Sequence, residues 1–193
     1  MKKILVATKN PNKVREFQQI LSSSVEWVPL PPDAGEVDED GSTFCENAAK
    51  KAREYSRVTH LPTVAEDSGL EVEALGAEPG VYSARFAGPD ADSTANNRLL
   101  LEKLRDIPME KRTARFVCCM VYRDGEEEQV FRGEVRGRIA LQPQGSSGFG
   151  YDPLFIPEGY DRTFAEMPIE IKNAMSHRYE ALRHLSAFLN LQI

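Results

Sequence analysis

The chain has 193 residues, of which 41% are hydrophobic and 28% charged, and its formal net charge is -6. That balance excludes disorder and fibrous repeats, and the length suffices for one domain or two closely joined lobes whose core needs no staples. A net negative chain is also a poor binder of nucleic acid, because that binding depends on Lys and Arg neutralising phosphates. The three cysteines, Cys45, Cys118 and Cys119, lack metal-ligand spacing, and their odd number leaves no tidy disulfide framework. A reducing compartment fits. The opening apolar run to Ala7 is too brief for a signal-peptide core, and no stretch approaches membrane-spanning length, so the expectation is a cytoplasmic protein with no membrane partner.

Residues 4–7 read as a buried strand, broken by Thr8-Lys9-Asn10-Pro11-Asn12 before a helical pattern in which Val14, Phe17, Gln18 and Leu21 share a face. Residues 25–30 are the next strand, followed by Pro31-Pro32 and an acidic loop over residues 33–41. Thr43-Phe44-Cys45-Glu46 has capping-box spacing and predicts a helix through Ala48, Ala49, Ala52 and Tyr55 that stops before Leu61-Pro62. A short strand over residues 63–65 then leads to Glu66-Asp67-Ser68-Gly69, with residues 70–72 extended beyond a glycine bend. Both carboxylates would sit at a strand end.

Pro79-Gly80 marks a turn, and residues 92–104 read as a helix with Leu99, Leu100, Leu101 and Leu104 on its apolar side. Residues 115–122 and 129–135 flank Asp124-Gly125 as an antiparallel hairpin with a somewhat longer loop. Residues 145–150 form a Gly-Ser loop, residues 153–156 one more strand, and Ser176 caps a last helix that turns Leu182, Leu185, Phe188 and Leu189 inward and leaves Arg183 and His184 exposed. Alternating strands and helices followed by a hairpin predict an α/β fold with a mixed sheet.

Three constellations could carry chemistry. Thr8 to Lys13 brings a hydroxyl, an amide and an ammonium to a helix start, where backbone N–H groups and the helix dipole favour phosphate, although a capped helix with a solvated lysine explains the same residues. Glu36, Asp38, Glu39 and Asp40, with Glu66 and Asp67, offer hard oxygen ligands from two segments, which suits Mg²⁺. An acidic loop is as readily a solvated one. Finally, Phe149 or Tyr151 can stack on a base, Asp152 can accept from ring N–H groups, and Lys172 and Arg178 can donate to a carbonyl or phosphate. Core packing is the competing explanation for the two aromatic residues.

Taken together and in order, Ala7-Thr8-Lys9-Asn10-Pro11-Asn12-Lys13, Thr43-Phe44-Cys45-Glu46-Asn47-Ala48, Glu66-Asp67-Ser68-Gly69-Leu70, Pro79-Gly80-Val81-Tyr82-Ser83-Ala84-Arg85, Gly148-Phe149-Gly150-Tyr151-Asp152-Pro153 and Ser176-His177-Arg178 closely resemble the inosine triphosphate pyrophosphatase (Ham1/RdgB-type) family. The resemblance spans almost the whole chain. It implies an α/β fold with a curved mixed sheet and flanking helices, in one domain of two lobes with a central nucleotide cleft, usually as a homodimer. It implies Mg²⁺-dependent hydrolysis of ITP, dITP and XTP to the monophosphate and pyrophosphate, so that deaminated purines are removed. It assigns Thr8, Lys9, Asn10, Pro11, Asn12 and Lys13 to the triphosphate, Asp67 to metal and general base, Ser68 to substrate, and Phe149, Gly150, Tyr151, Asp152, Lys172, His177 and Arg178 to base and sugar. Asp38 stands where relatives carry the second metal ligand, a glutamate, and Glu36 or Glu39 are the alternatives. Lys9 stands where relatives often have a small or polar residue. Competing readings are a Maf-type pyrophosphatase for modified pyrimidine nucleotides, which the purine-type motifs oppose, and a non-catalytic nucleotide-binding regulator, for which Asp67 or the phosphate loop should be altered.

Overall fold

The structure is a computed structural model that describes residues 2–20 and 25–191. Six strands form one mixed sheet in the order β2-β1-β3-β4-β5-β6, flanked by helices. The strands are β1 (Lys3–Ala7), β2 (Glu26–Pro29), β3 (Thr63–Val72), β4 (Thr113–Asp124), β5 (Glu127–Ile139) and β6 (Phe155–Pro157). The helices are α1 (Pro11–Ile20), α2 (Phe44–Thr59), α3 (Ser93–Lys103), α4 (Ile169–Met175) and α5 (His177–Phe188). β1 runs parallel to β2 and β3, while β5 and β6 are antiparallel.

Chain contacts define two compact units. The first comprises residues up to Asp67, Cys118–Gly133 and the chain from Arg178 onward. Its sheet is buried on both faces, as parallel strands require. Alternation along β1 sends Ile4 and Val6 to one side, where Phe17, Val64, Cys118, Met120, Leu182 and Leu185 pack, and Leu5 and Ala7 to the other, against Ala48, Ala52 and Tyr55 of α2. The second unit, Ser68–Val117 with Glu134–His177, closes on Leu70, Leu100, Leu104, Phe116, Phe155 and Phe164.

Several local expectations change. β3 is one strand of 10 residues that runs straight through Glu66-Asp67-Ser68-Gly69, so the carboxylates lie mid-strand and not at an end. Gly69 does not bend the chain; a Cβ there would meet Ser83 Oγ at 2.3 Å, so the glycine serves a close approach. The hairpin strands are longer than expected and joined by only Gly125-Glu126, with Gly125 at φ 59° supplying the tight turn. α4, which begins after Pro168 and has only 7 residues, left too short a period to be seen in the sequence. Phe188 is 46% exposed, against Tyr122 and Phe131, and not in the core. Leu21 lies outside the described residues. Most consequential, Cys45 and Cys119 form a disulfide across 74 residues, leaving Cys118 as the free thiol, so the odd count did not preclude a bridge.

Candidate active site

β1 ends at Ala7, and the chain turns through Thr8 into α1. The Asn10 side-chain oxygen accepts from the backbone N–H groups of Asn12 (3.0 Å) and Lys13 (3.4 Å), and Thr8 Oγ1 accepts from the Asn10 N–H (3.2 Å). Pro11 opens the helix, where its missing N–H costs nothing. A hollow of about 490 Å³ beside this turn is lined by Thr8, Lys9, Pro11, Val14, Arg15 and the stretch from Pro29 to Pro32. Lys9 lies 4.0 Å from the exposed Glu36.

Strand alternation sends the two neighbouring carboxylates of β3 to opposite faces. Glu66, 1% exposed, meets Arg178 Nε at 2.9 Å and Nη2 at 3.2 Å, and Lys13 Nζ at 2.9 Å, while the Cys118 thiol donates to it at 3.1 Å. Arg178 Nη1 is bonded to the buried Glu16. Two cations and two anions thus neutralise one another inside the first unit. Burial alone would raise the Glu66 carboxyl, but Arg178 and Lys13 overcome it and hold it well below the usual glutamate range. Burial would likewise lower Lys13, yet the charge of Glu66 leaves its ammonium more basic than a free lysine.

Asp67 faces α2, whose capping box at Thr43 and Glu46 fixes where the helix starts and therefore which side chains meet the strand. Asn47 Nδ2 donates to Asp67 Oδ2 at 3.0 Å, and Asn47 Oδ1 accepts from the Gly41 N–H at 2.8 Å, tying the acidic loop to the same helix. One turn on, Lys51 Nζ stands 2.8 Å from Glu39 and 3.9 Å from Asp67. Burial pushes the Asp67 carboxyl up, with Glu39 adding to it and Lys51, Lys13 and the Asn47 hydrogen bond opposing it. Of the acidic-loop candidates, Glu39 joins this group, Glu36 lies toward Lys9, and Asp38 is exposed. Asn47, Lys51 and Glu16 were not singled out as site residues from sequence, whereas Glu66, read there with Asp67 as a hard oxygen ligand, is engaged by Arg178 and Lys13. The i, i+4 spacing of Asn47 and Lys51 on a capped helix was the available signal for the first two.

In the second unit, Lys172 Nζ donates to Asp152 Oδ2 at 2.6 Å and lies 4.8 Å from the centre of the Phe149 ring. The Phe149 N–H donates to the same oxygen at 2.8 Å. Gly148 allows this, since a Cβ there would fall 2.1 Å from Asp152 Oδ2. Asn97 Nδ2 donates to the Gly150 carbonyl (3.1 Å), and the Tyr151 hydroxyl to the Ser83 carbonyl (2.9 Å), with burial raising the phenol. His177 stacks on Phe116 with centroids 5.0 Å apart, and Ser68 is half-buried. The expected base-end residues Phe149, Gly150, Asp152 and Lys172 are therefore one cluster, whereas Arg178 belongs to the Glu66 group of the first unit.

A family model described as the Ham1 family matches residues 4–188. The chain is 51% identical over 185 residues to a dITP/XTP pyrophosphatase of Symbiobacterium thermophilum, covering 94% of this chain and 91% of that one. It is 45% identical to the dITP/XTP pyrophosphatase of Bacillus subtilis, covering 98% of each. Among solved structures, a HAM1 protein from Coxiella burnetii superposes with a TM-score of 0.90 at 38% identity, over 98% of this chain and 99% of that one.

Proposed function

The chain belongs to the Ham1 family, and on that footing we propose that it hydrolyses the non-canonical purine triphosphates ITP, dITP and XTP to the monophosphate and pyrophosphate. The single observation that carries the chemistry is Asp67: a buried carboxylate held by Asn47, its basicity raised by burial, on the strand next to the phosphate-type turn of β1.

In this reading the turn from Thr8 to Lys13 takes the triphosphate on backbone N–H groups and the Lys13 ammonium. Asp67 holds the attacking water and accepts its proton. The water oxygen bonds to the α-phosphorus, and pyrophosphate leaves from the same phosphorus. The residues fit a hard divalent cation: Glu39 and Asp67 are two carboxylates already bridged by the Lys51 ammonium, and Mg²⁺ commonly uses one or two carboxylates with substrate phosphates. Glu39 and Asp67 would hold the ion, with the exposed Asp38 the weaker candidate. When bound, Mg²⁺ would neutralise charge on the phosphates and the leaving pyrophosphate.

For base selection, Phe149 stacks, while Lys172 and Asp152, buried and paired with each other, offer a donor and an acceptor to the purine edge by exchanging that pairing. ITP and XTP carry an oxygen at C6 where ATP carries an amino donor, so a donor-lined site rejects adenine strongly. Arg178 can contribute only by exchanging a pairing, since its guanidinium nitrogens are already on Glu66 and Glu16. Ser68 and His177 complete the substrate set, and a homodimer in the cytoplasm is the assembly we propose, testable by sedimentation.

The experiment is pyrophosphate release from ITP, dITP, XTP, GTP, ATP and a pyrimidine triphosphate, with and without Mg²⁺. Strong preference for ITP, dITP and XTP with a Mg²⁺ requirement is expected. Preference for the pyrimidine overturns the base assignment, and no release overturns the activity.

A further inference from the structure

Resting on the reading of Asp67 as the reaction centre, we propose that the Cys45–Cys119 disulfide is a redox-responsive latch on that centre, closed by a peroxide and opened by a dithiol. Cys45 is the second residue of α2, and Cys119 lies on β4, the neighbour of β3 in the sheet. The bond therefore joins the helix that carries Asn47 and Lys51 to the strand beside the one that carries Asp67. Asn47 and Lys51, which face Asp67, lie within two turns of the tether, and Asn47 also holds the Gly41 N–H of the acidic loop. Along its length α2 is also held by buried Phe44, Ala48, Ala52 and Tyr55 and by the paired hydrogen bonds of Arg53 to Glu128, and the disulfide is the covalent hold on the first turn, next to Asn47.

Access and chemistry are asymmetric in a way that suits a reversible bond. Cys45 is half-buried and Cys119 fully buried, so a reagent meets the Cys45 sulfur first. The first turn of a helix also favours a thiolate over a thiol. Cys118 cannot substitute for its neighbour, because alternation turns it to the opposite face of β4, where it donates to Glu66. To close the latch, the Cys45 thiolate attacks peroxide and becomes a sulfenic acid with release of hydroxide. Cys119 sulfur then displaces the second oxygen, so two thiols and one hydrogen peroxide give one disulfide and two waters. To open it, a thiolate of the dithiol attacks Cys45 sulfur and Cys119 leaves as a thiolate and is protonated. The second thiol of the reagent then displaces Cys45 and leaves as a cyclic disulfide.

The test treats the whole protein with one equivalent of hydrogen peroxide or with excess dithiothreitol, measures pyrophosphate release from XTP, and counts by mass the cysteines alkylated after removal of the reagent and denaturation. Expected are one alkylated cysteine (Cys118) after peroxide and three after dithiothreitol, with turnover falling about tenfold on reduction because the helix is no longer held in register, and recovering on reoxidation. Cys45→Ser should have the reduced rate and respond to neither reagent. Three alkylated cysteines after peroxide would overturn the proposal, as would a bond that forms and breaks with no change in turnover. In that second case release itself persists, so the activity reading survives; no release in either state overturns both.

Discussion

The two faces of β3 carry adjacent carboxylates with opposite fates. Glu66 is saturated: Arg178, Lys13 and the Cys118 thiol surround it, and its proton affinity is driven far down. Asp67 is poised: it has an amide from Asn47 and a lysine at 3.9 Å, and burial drives its proton affinity up. One residue of strand register separates a group that ties α1 and α5 to the sheet from a group able to take a proton or a cation. Burial alone does not set the proton affinity, since both are buried; Arg178 and Lys13 hydrogen-bond Glu66 at 2.9 Å, whereas Lys51 stands 3.9 Å from Asp67 and cannot offset its burial.

The contrast can be broken from either side. Asp67→Asn keeps the volume and the acceptor for Asn47 but removes the base, so turnover should fall by roughly 10³-fold while the thermal midpoint stays near wild type, read by pyrophosphate release and calorimetry. Glu66→Gln should do the reverse in kind: it leaves Arg178 and Lys13 under-compensated and should cost about 3 kcal/mol of stability in urea unfolding. The pH dependence has a definite sign. Because the folded carboxyl of Glu66 lies below its unfolded value, its stabilisation is fully present above the ordinary pKa of about 4.3 and is lost as pH falls, so wild type and Glu66→Gln should converge from about pH 5 downward. A gap that widened toward acid would contradict the pairing.

Smaller effects sharpen the Asp67 side. Glu39→Gln should raise the Mg²⁺ concentration for half-maximal turnover about tenfold, whereas Asp38→Asn should leave it within about twofold. The opposite order would move the metal back to Asp38. Asn47→Ala removes one partner each of Asp67 and the Gly41 N–H, and a cost of about 1–3 kcal/mol in unfolding is expected from the unsatisfied groups.

What could be read from the sequence followed range in the chain. α2 was placed from Thr43 and Glu46 because a capping box is complete within four residues. The turn from β1 into α1 was legible for the same reason, since Asn10 caps its own helix. Pairings that close over long separations were not: Glu16 with Arg178 spans 162 residues, and Cys45 with Cys119 spans 74. Gly69 was misread as a bend because a glycine letter does not say whether it supplies a backbone angle or room for Ser83. The acidic loop offered several equivalent carboxylates, and only the position of Lys51 singled out Glu39.

The most direct test of the central claim, that a water held by Asp67 attacks the α-phosphorus, is hydrolysis of XTP in heavy-oxygen water with mass analysis of both products. The account predicts the heavy oxygen in the nucleoside monophosphate and none in pyrophosphate; label in the pyrophosphate would contradict it.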